Sequence, residues 1–190
     1  LPILLLGAMW GGMYLTQVNH LSRTQASLVV SLLFIGAIFG SPCIGWLSDK
    51  MGNRCRPMRW GAALSLILVL LLMYVPGLNE INLMLIFLLL GFITSAQVLS
   101  YPLVAESNPE AIVGTAEGLS AVLIMSGGFL QPLFGFIIER GWQHRMLHHV
   151  PLYGIAHYQH AMLIFPVAFG MSFLLTYLLR EGAAQRNTTK

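Results

Sequence analysis

Most side chains of this sequence that could contact a polar solute are neutral hydrogen-bonding groups among apolar residues. Trp10, Tyr14 and Gln17 are spaced at i, i+4 and i+7, so they share one face of a helix. Gln97 and Tyr101, four residues apart, share another. Polar groups in apolar segments are costly and usually face a cavity or another helix. The alternatives are therefore a path for a small polar solute and hydrogen bonds between helices. The set predicted to line a substrate cavity is Trp10, Tyr14, Gln17, Gln97, Tyr101 and Gln131.

A dense cluster of charged residues lies between residues 45 and 56, and we expect it to make ionic contacts. Two glycines there permit close packing and a tight turn. Asp49 can stabilise the N-terminus of a helix, because the partial positive charge of the helix dipole lies there. The basic residues beside it can pair with acids or with phosphates. The positions that define this cluster are Gly45, Asp49, Lys50, Gly52, Arg54 and Arg56.

Glu117 is an acid about one turn inside an apolar segment. It is predicted either to carry a proton or to pair with Lys50 or Arg54, and pairing is the favoured interpretation because the basic cluster lies nearby. Most histidines fall late in the chain, at His144, His148, His149, His157 and His160. Imidazole binds several transition metals, but this set has no fixed spacing and no cysteines. We expect an exposed loop, with only His160 buried, and neither a metal site nor a cofactor.

The composition indicates the elements that must position these residues. Of the 190 residues, 56% are hydrophobic and only 9% are charged, against about 25% charged in soluble domains. The mean hydropathy is +0.74. A helix needs about 20 apolar residues to cross the hydrocarbon core. We therefore predict an all-α transmembrane bundle of six helices, with spans at residues 1–20, 26–47, 60–75, 83–104, 112–139 and 160–179.

The distribution of Lys and Arg predicts how the spans are oriented. The charged loop predicted over residues 48–59 contains four of them, and residues 180–190 contain three. An even number of spans separates these regions, so they lie on the same side, and only three basic residues lie opposite. The positive-inside rule places the larger group in the cytoplasm. The expected location is a bacterial inner membrane, with residues 180–190 as a cytoplasmic tail. Nucleic-acid binding is excluded because no basic stripe with aromatics is present.

The order of residues in the charged cluster is more specific than its charge. Residues 45–56 read G-W-L-S-D-K-M-G-N-R-C-R and resemble the loop signature of the major facilitator superfamily. Charge bias alone does not demand the Gly and Asp positions. Glu106-x-x-Pro109 and the following Gly114-Thr115 resemble the entry to that family's eleventh helix. The fourth span also lacks the arginine usual in the family's N-terminal half. The resemblance therefore implies helices seven to twelve, one half of a twelve-helix fold, over residues 1–179.

The resemblance also implies a partner. Such a half pairs with a second six-helix bundle about a pseudo-twofold axis, and that N-terminal half is absent from this sequence. Asp49 is then expected to contact a helix N-terminus of the other half and close a cytoplasmic gate. The other half's own signature is expected to dock near Gly114 and Thr115. The predicted docking residues are Glu106, Gly114, Thr115 and Glu117.

The implied function is secondary transport of a small polar organic solute by alternating access. Trp-Gly-Gly-x-Tyr in the first span is similar to phagosomal amino-acid transporters and to the lysosomal dipeptide transporter branch. An amino acid or short peptide is therefore the favoured substrate, and any proton-coupling acid is expected in the other half. The alternative is a truncated six-span membrane protein, or an interaction partner, that transports nothing. An enzyme ranks last, because Gly-x-Ser-x-Gly and metal-ligand spacings are absent.

Overall fold

The architecture comes from a computed structural model that describes residues 2–75, 77–140, 146–147, 150–151 and 153–178. Helix α1 is a π-helical segment, Ile3–Trp10, continued by an α-helical one, Gly11–Gln17. A two-residue ladder, β1 (Met146–Leu147) and β2 (Val150–Pro151), is antiparallel. The other helices are α2 (Arg23–Met51), α3 (Cys55–Tyr74), α4 (Glu80–Ser107), α5 (Glu110–Glu139) and α6 (Ile155–Leu178).

The predicted all-α transmembrane fold is confirmed. Helices α2 to α6 are each long and apolar enough to cross a membrane, with mean hydropathies between 1.6 and 2.2. The chain is therefore an integral multi-pass membrane protein. Helix α1 is shorter than the predicted first span, since its two segments comprise 8 and 7 residues. It ends at Gln17, before the exposed His20, rather than after it.

The ends of α2 follow from local capping. Ser22 and Gln25 form a capping box, in which the Ser22 hydroxyl accepts from the Gln25 N–H at 3.3 Å and the Gln25 side chain accepts from the Ser22 N–H at 3.0 Å. At the other end Gly52 has φ +59°, a left-handed conformation that glycine adopts without strain. The predicted charged loop over residues 48–59 is therefore wrong in extent. Only residues 52–54 are non-helical, because Gly52 ends α2 and α3 begins at Cys55.

Helices α2 and α4 form the most extensive contact between two helices of the described chain. A Cβ atom added to Gly36 would collide with the Leu88 carbonyl, and one added to Gly91 would collide with the Leu33 carbonyl. Small residues allow such close backbone approach in lipid, where the hydrophobic effect does not drive helices together. Glycines in the second and fourth spans therefore place these helices in direct backbone contact.

The remaining helices pack around this pair. Helix α1 contacts α2 and the second half of α5, and α3 contacts α4 and α6. The beginning of α6 packs on the end of α5. The core lies among these contacts and includes Leu5, Leu15, Leu33, Phe87 and Phe134, all fully buried. Helix α5 is the least buried of the long helices, with 11% of its most apolar window buried.

Candidate functional site: the signature hairpin and a polar cavity

The signature residues form a helical hairpin whose turn is only three residues long. The Gly52 N–H donates to the Asp49 carbonyl at 3.1 Å, and the Asn53 N–H donates to the Ser48 carbonyl at 3.4 Å. The Asn53 side chain accepts from the Arg56 N–H at 2.8 Å and so caps the first turn of α3. Backbone and side-chain bonds therefore hold the turn in one conformation.

Arg54 is the centre of the ionic contacts at this turn. Its guanidinium pairs with Asp49, and its Nη2 lies 2.8 Å from Oε1 of Glu106 at the end of α4. The Arg54 side chain is only 15% exposed, against 24% for Glu106 and 66% for Asp49. The hydrogen bond with Glu106 is the main cause of a raised Arg54 pKa, so Arg54 stays charged at any physiological pH. The ion pairs tie the hairpin to the end of α4.

The other basic residues of the hairpin contact different groups. The Lys50 ammonium lies over the Trp46 ring, 5.0 Å from its centroid. Arg59 donates to the Thr176 carbonyl of α6, at 3.0 Å from Nη2. The Arg56 side chain is exposed. The positive charge that the sequence concentrates in one segment is thus distributed over separate sites.

The predicted docking residues divide into paired and open ones. Glu106 is held by Arg54, whereas Gly114 and Thr115 are exposed at the start of α5. Glu117 is partly buried and has no hydrogen bond or ion pair to another described residue. The expectation that Glu117 pairs with Lys50 or Arg54 is therefore wrong for this structure. Asp49 and Glu106 already occupy Arg54, and Lys50 lies over an indole ring.

Tyr14 and Gln17, predicted cavity residues of α1, make hydrogen bonds to other parts of the bundle. The Tyr14 hydroxyl is buried and donates to the Leu72 carbonyl of α3 at 2.9 Å. Gln17 Oε1 accepts from the Tyr158 hydroxyl at 3.0 Å and from the Tyr153 N–H at 3.1 Å. In this conformation both side chains connect α1 to its neighbours.

Trp10 and Gln131 lie where α1 meets α5. The Trp10 ring is buried against Phe134, with ring centroids 5.1 Å apart, and its Nε1 has no hydrogen-bond partner among the described residues. Gln131 Nε2 donates to the Leu4 carbonyl at 2.7 Å. Four of the six predicted cavity residues therefore hold helices together, and their role in lining a substrate path stays a prediction.

Gln97 lies beside a cavity of about 280 Å³ between α3, α4 and α6. A 3-10 segment, Ser95–Leu99, interrupts α4 at this level. The Ser65 hydroxyl of α3 reaches the cavity wall, is fully buried and has no hydrogen-bond partner in the described chain. Ser65, Ser100 and Ser172 also line this wall, and they are not among the cavity residues predicted from the sequence. In the sequence, the only feature that could have identified these serines was a hydroxyl group within an apolar span.

Tyr101 lies one turn beyond Gln97 on α4 and is half-buried. It completes the predicted set and lies just after the 3-10 segment that contains Gln97.

The histidines do not form a site in the described residues. His157 Nδ1 accepts from the Gly154 N–H at 3.1 Å, next to the start of α6. His160 is exposed, so the expectation that it is buried is wrong. His144, His148 and His149 lie outside the described residues. Within the described ranges, no three His, Cys, Asp or Glu side chains are grouped to hold a metal ion.

Comparison with known proteins gives a family match along nearly the whole chain. Residues 3–190 match the model of the Major Facilitator Superfamily. The chain is 31% identical over 116 residues, 58% of its length, to a "Probable hexose phosphate transport protein" of Chlamydia pneumoniae, and this covers 25% of that protein.

Two further relatives also have names of transport proteins. A "Probable hexose phosphate transport protein" of Chlamydia trachomatis is 30% identical over 141 residues, 70% of this chain and 30% of the relative. A "Lactose permease" of Klebsiella pneumoniae is 36% identical over 63 residues, 33% of this chain and 44% of the relative. The chain thus spans a quarter to less than half of the length of these relatives. No solved structure matches.

Proposed function

The chain belongs to the Major Facilitator Superfamily, and on that premise we propose that it forms helices seven to twelve of a secondary active transporter. In this proposal a second six-helix half completes the transporter, and the two halves rock about the solute to expose it alternately on each side. The observation that carries the proposal is the family match over residues 3–190, together with the signature hairpin between α2 and α3.

The ion pairs of Arg54 support a gating role for the hairpin. They join the α2–α3 turn to the end of α4, so these helix ends belong to one body at one membrane surface. Asp49 remains 66% exposed although it contacts Arg54. An exposed carboxylate at this place suits the N-terminus of a helix in the other half. We propose that this contact forms when the cytoplasmic side closes.

The open face of α5 supports docking of the second half. Gly114 and Gly118 are exposed, and a Cβ added to either would meet no atom within 4 Å. Thr115 lies beside them and is also exposed. We propose that the signature of the other half docks at this end of α5, with Glu117 close to the contact.

We propose a hydroxyl-rich solute, a sugar or a sugar phosphate, as the substrate class. The relatives are named for hexose phosphate and lactose, so the amino acid or peptide expected from the sequence gains no support. Sugar hydroxyls match the neutral amide and hydroxyl groups of Gln97, Ser65 and Ser100 at the cavity. In the described spans Lys and Arg lie only near helix ends. A phosphate group would therefore need a cation from the other half.

The coupling ion and the orientation are parts of the same proposal. No acid lies at the middle of a described span, so a coupling proton would bind mainly in the other half. The positive-inside rule places the signature hairpin and residues 180–190 in the cytoplasm of a bacterial cell.

The test is uptake by the complete transporter in proteoliposomes. Radiolabelled lactose, glucose 6-phosphate and a mixture of amino acids are supplied separately, each with and without a proton uncoupler. We expect one of the sugar substrates to accumulate. We expect Gln97→Ala to lower its uptake about tenfold, the effect of losing one or two hydrogen bonds to the solute.

Asn82→Ala is the matched control, since it removes an exposed amide near the start of the same helix. It should leave uptake unchanged. Accumulation of amino acids without sugars would overturn the substrate class. A folded transporter that accumulates none of the three would overturn the transport proposal.

A further inference from the structure

A second concave surface lies beside the signature hairpin. It is a groove of about 450 Å³ where the ends of α2 and α6 meet the start of α3. It shares Arg56 with the signature but includes neither the Arg54 ion pairs nor any residue of the proposed substrate cavity. The residues that line this groove are Met51, Arg56, Arg59, Trp60, Phe173 and Tyr177.

The contacts of Arg59 orient its guanidinium so that part of it can bind an anion. Its Nε and Nη2 donate to the Thr176 carbonyl at 3.3 and 3.0 Å, and its guanidinium carbon lies 4.2 Å from the centroid of the Tyr177 ring. These contacts fix the plane of the guanidinium and use two of its five N–H donors. The other three remain for a ligand, in the geometry that suits a phosphate.

The charge of the groove is not balanced by acids of the described chain. None of the six lining residues is acidic. Of the described carboxylates toward this end of the bundle, Asp49 and Glu106 pair with Arg54, and Glu110 and Glu117 do not line the groove. The Arg56 side chain is exposed and has no ion pair to any residue that the structure describes. Two guanidinium groups therefore present net positive charge in one groove.

The side chains of the groove are typical of a membrane boundary. Arg56, Arg59 and Trp60 belong to the first two turns of α3, and Phe173 and Tyr177 belong to the last turns of α6. Trp60 and Tyr177 are more than half exposed. Exposed Trp and Tyr side chains are enriched at the level of lipid headgroups.

An exposed apolar stripe on α3 extends from the groove. Its residues recur at helical spacing for about 21 Å, at 1.5 Å per residue, which exceeds the thickness of one leaflet's hydrocarbon. The stripe is Trp60, Leu64, Ile67, Leu71 and Tyr74. Trp60 belongs to both the groove and the stripe.

We propose that the groove binds the headgroup phosphate of an anionic phospholipid, with an acyl chain along the α3 stripe. Arg56 and Arg59 would hold the phosphate, and Trp60 and Tyr177 would flank the glycerol. A free sugar phosphate offers the same anion, but it has nothing to cover the apolar surface that continues from the groove. Because Trp60 joins the groove to the α3 stripe, a lipid is the occupant that fits both.

The test measures lipid binding to the complete transporter by native mass spectrometry in detergent, with phosphatidylglycerol titrated against phosphatidylcholine. We expect phosphatidylglycerol to bind preferentially. Arg56→Gln should weaken its binding about fivefold, the effect of one basic residue at a membrane surface. Arg56→Lys, which keeps the charge, should retain most of the affinity.

Lys50→Gln is the matched control, because it removes one charge from the same hairpin but outside the groove. It should change the affinity less than twofold. Arg59→Gln is expected to weaken binding further, and its thermal unfolding is recorded because Arg59 also joins α3 to α6. If that variant unfolds, Arg56→Gln alone decides the test.

A second arm separates the two sources of phosphate. Glycerol 3-phosphate and glucose 6-phosphate are added as competitors at the concentration of the lipid, and we expect neither to displace it. Displacement by either would overturn the lipid assignment in favour of a soluble phosphate. Equal losses in Arg56→Gln and Lys50→Gln, or no loss in Arg56→Gln, would overturn the site itself.

Discussion

Helices α4 and α5 are similar in composition but differ in environment. Their most apolar windows have mean hydropathies of 2.2 and 1.9, yet half of the α4 window is buried and only 11% of the α5 window is. Each contains a 3-10 interruption, Ser95–Leu99 in α4 and Ser126–Phe129 in α5. The difference therefore lies in their neighbours rather than in their own apolar content.

The glycines of α4 and α5 explain the difference in burial between the two helices. Gly91 of α4 faces the α2 backbone so closely that no Cβ fits, whereas Gly114 and Gly118 of α5 face open space. In lipid, close packing rather than hydrophobicity joins helices. A glycine without a neighbour on an exposed span thus suggests a surface for another helix. We interpret α4 as an internal element of the bundle and α5 as the helix that offers the proposed docking face for a second half.

The largest effect on stability is expected where α4 has no space for an added side chain. Gly91→Ala should lower the free energy of unfolding by about 3 kcal/mol, the upper end for overpacking, because the new methyl group collides with the Leu33 carbonyl. Unfolding of the transporter in detergent, followed by heat or denaturant, measures this. Gly118→Ala on α5 is the control and should stay within about 0.5 kcal/mol of the parent protein. Similar losses for both glycines would contradict the comparison.

The second largest effect on stability is expected for the acidic residues of the two helices. Glu106→Gln removes the partner that α4 supplies to the mostly buried Arg54 and should cost about 2 kcal/mol. Glu117→Gln on α5 breaks no pair within the described chain and should be nearly neutral in the same unfolding assay. A larger loss for Glu117→Gln would show that α5 has an ionic contact in the complete transporter, and the comparison would then need revision.

A smaller effect is expected where α5 does contact the bundle. Gln131→Leu removes the hydrogen bond to the Leu4 carbonyl and should cost about 0.6 kcal/mol, the mean for side-chain hydrogen bonds in membranes. Ser126→Ala removes only a bond within α5, to the Leu123 carbonyl, and serves as the control. A cost for Ser126→Ala that equals or exceeds the cost for Gln131→Leu would show that the α1–α5 contact adds nothing.

The smallest effect on stability is expected at the open end of α5. Gly114→Leu should change the free energy of unfolding by less than about 0.5 kcal/mol, because no atom lies nearby. It should nevertheless slow uptake about tenfold if a helix of the other half docks there, since overpacking would disfavour the closed state. Unfolding and uptake are measured on the same sample. Unchanged uptake would argue against docking at Gly114.

Much of the fold could be predicted from local sequence. Scarce charge and long apolar runs predicted membrane helices, and α2 to α6 confirm them. The ends were less accurate. The sequence suggested a charged loop over residues 48–59, but Lys50 and Arg56 lie in helices, because a left-handed glycine at 52 makes the turn in three residues. Charged side chains are compatible with a helix once it leaves the hydrocarbon.

The sequence predicted which kinds of residue form the candidate site, but not which residues pair with one another. The residues of the signature and the neutral polar groups were recognisable by spacing. That Arg54 binds Glu106, 52 residues away, and that Gln17 binds Tyr158 was not. The Ser65 hydroxyl at the cavity wall was also missed, because a single serine in an apolar span gives no periodic signal.

By itself the sequence determined the membrane environment, the helical class and the family signature. These features depend on hydropathy, charge and turn glycines, which act over a few residues. The tertiary structure alone decided which helix is enclosed and which is open, and which acid holds Arg54. It also decided where two arginines have no acidic partner among the described residues. The physical reason is that most of the surface of a membrane helix is apolar, whichever way it faces. Only close packing and long-range polar contacts distinguish one face from another, and both depend on how the helices are arranged.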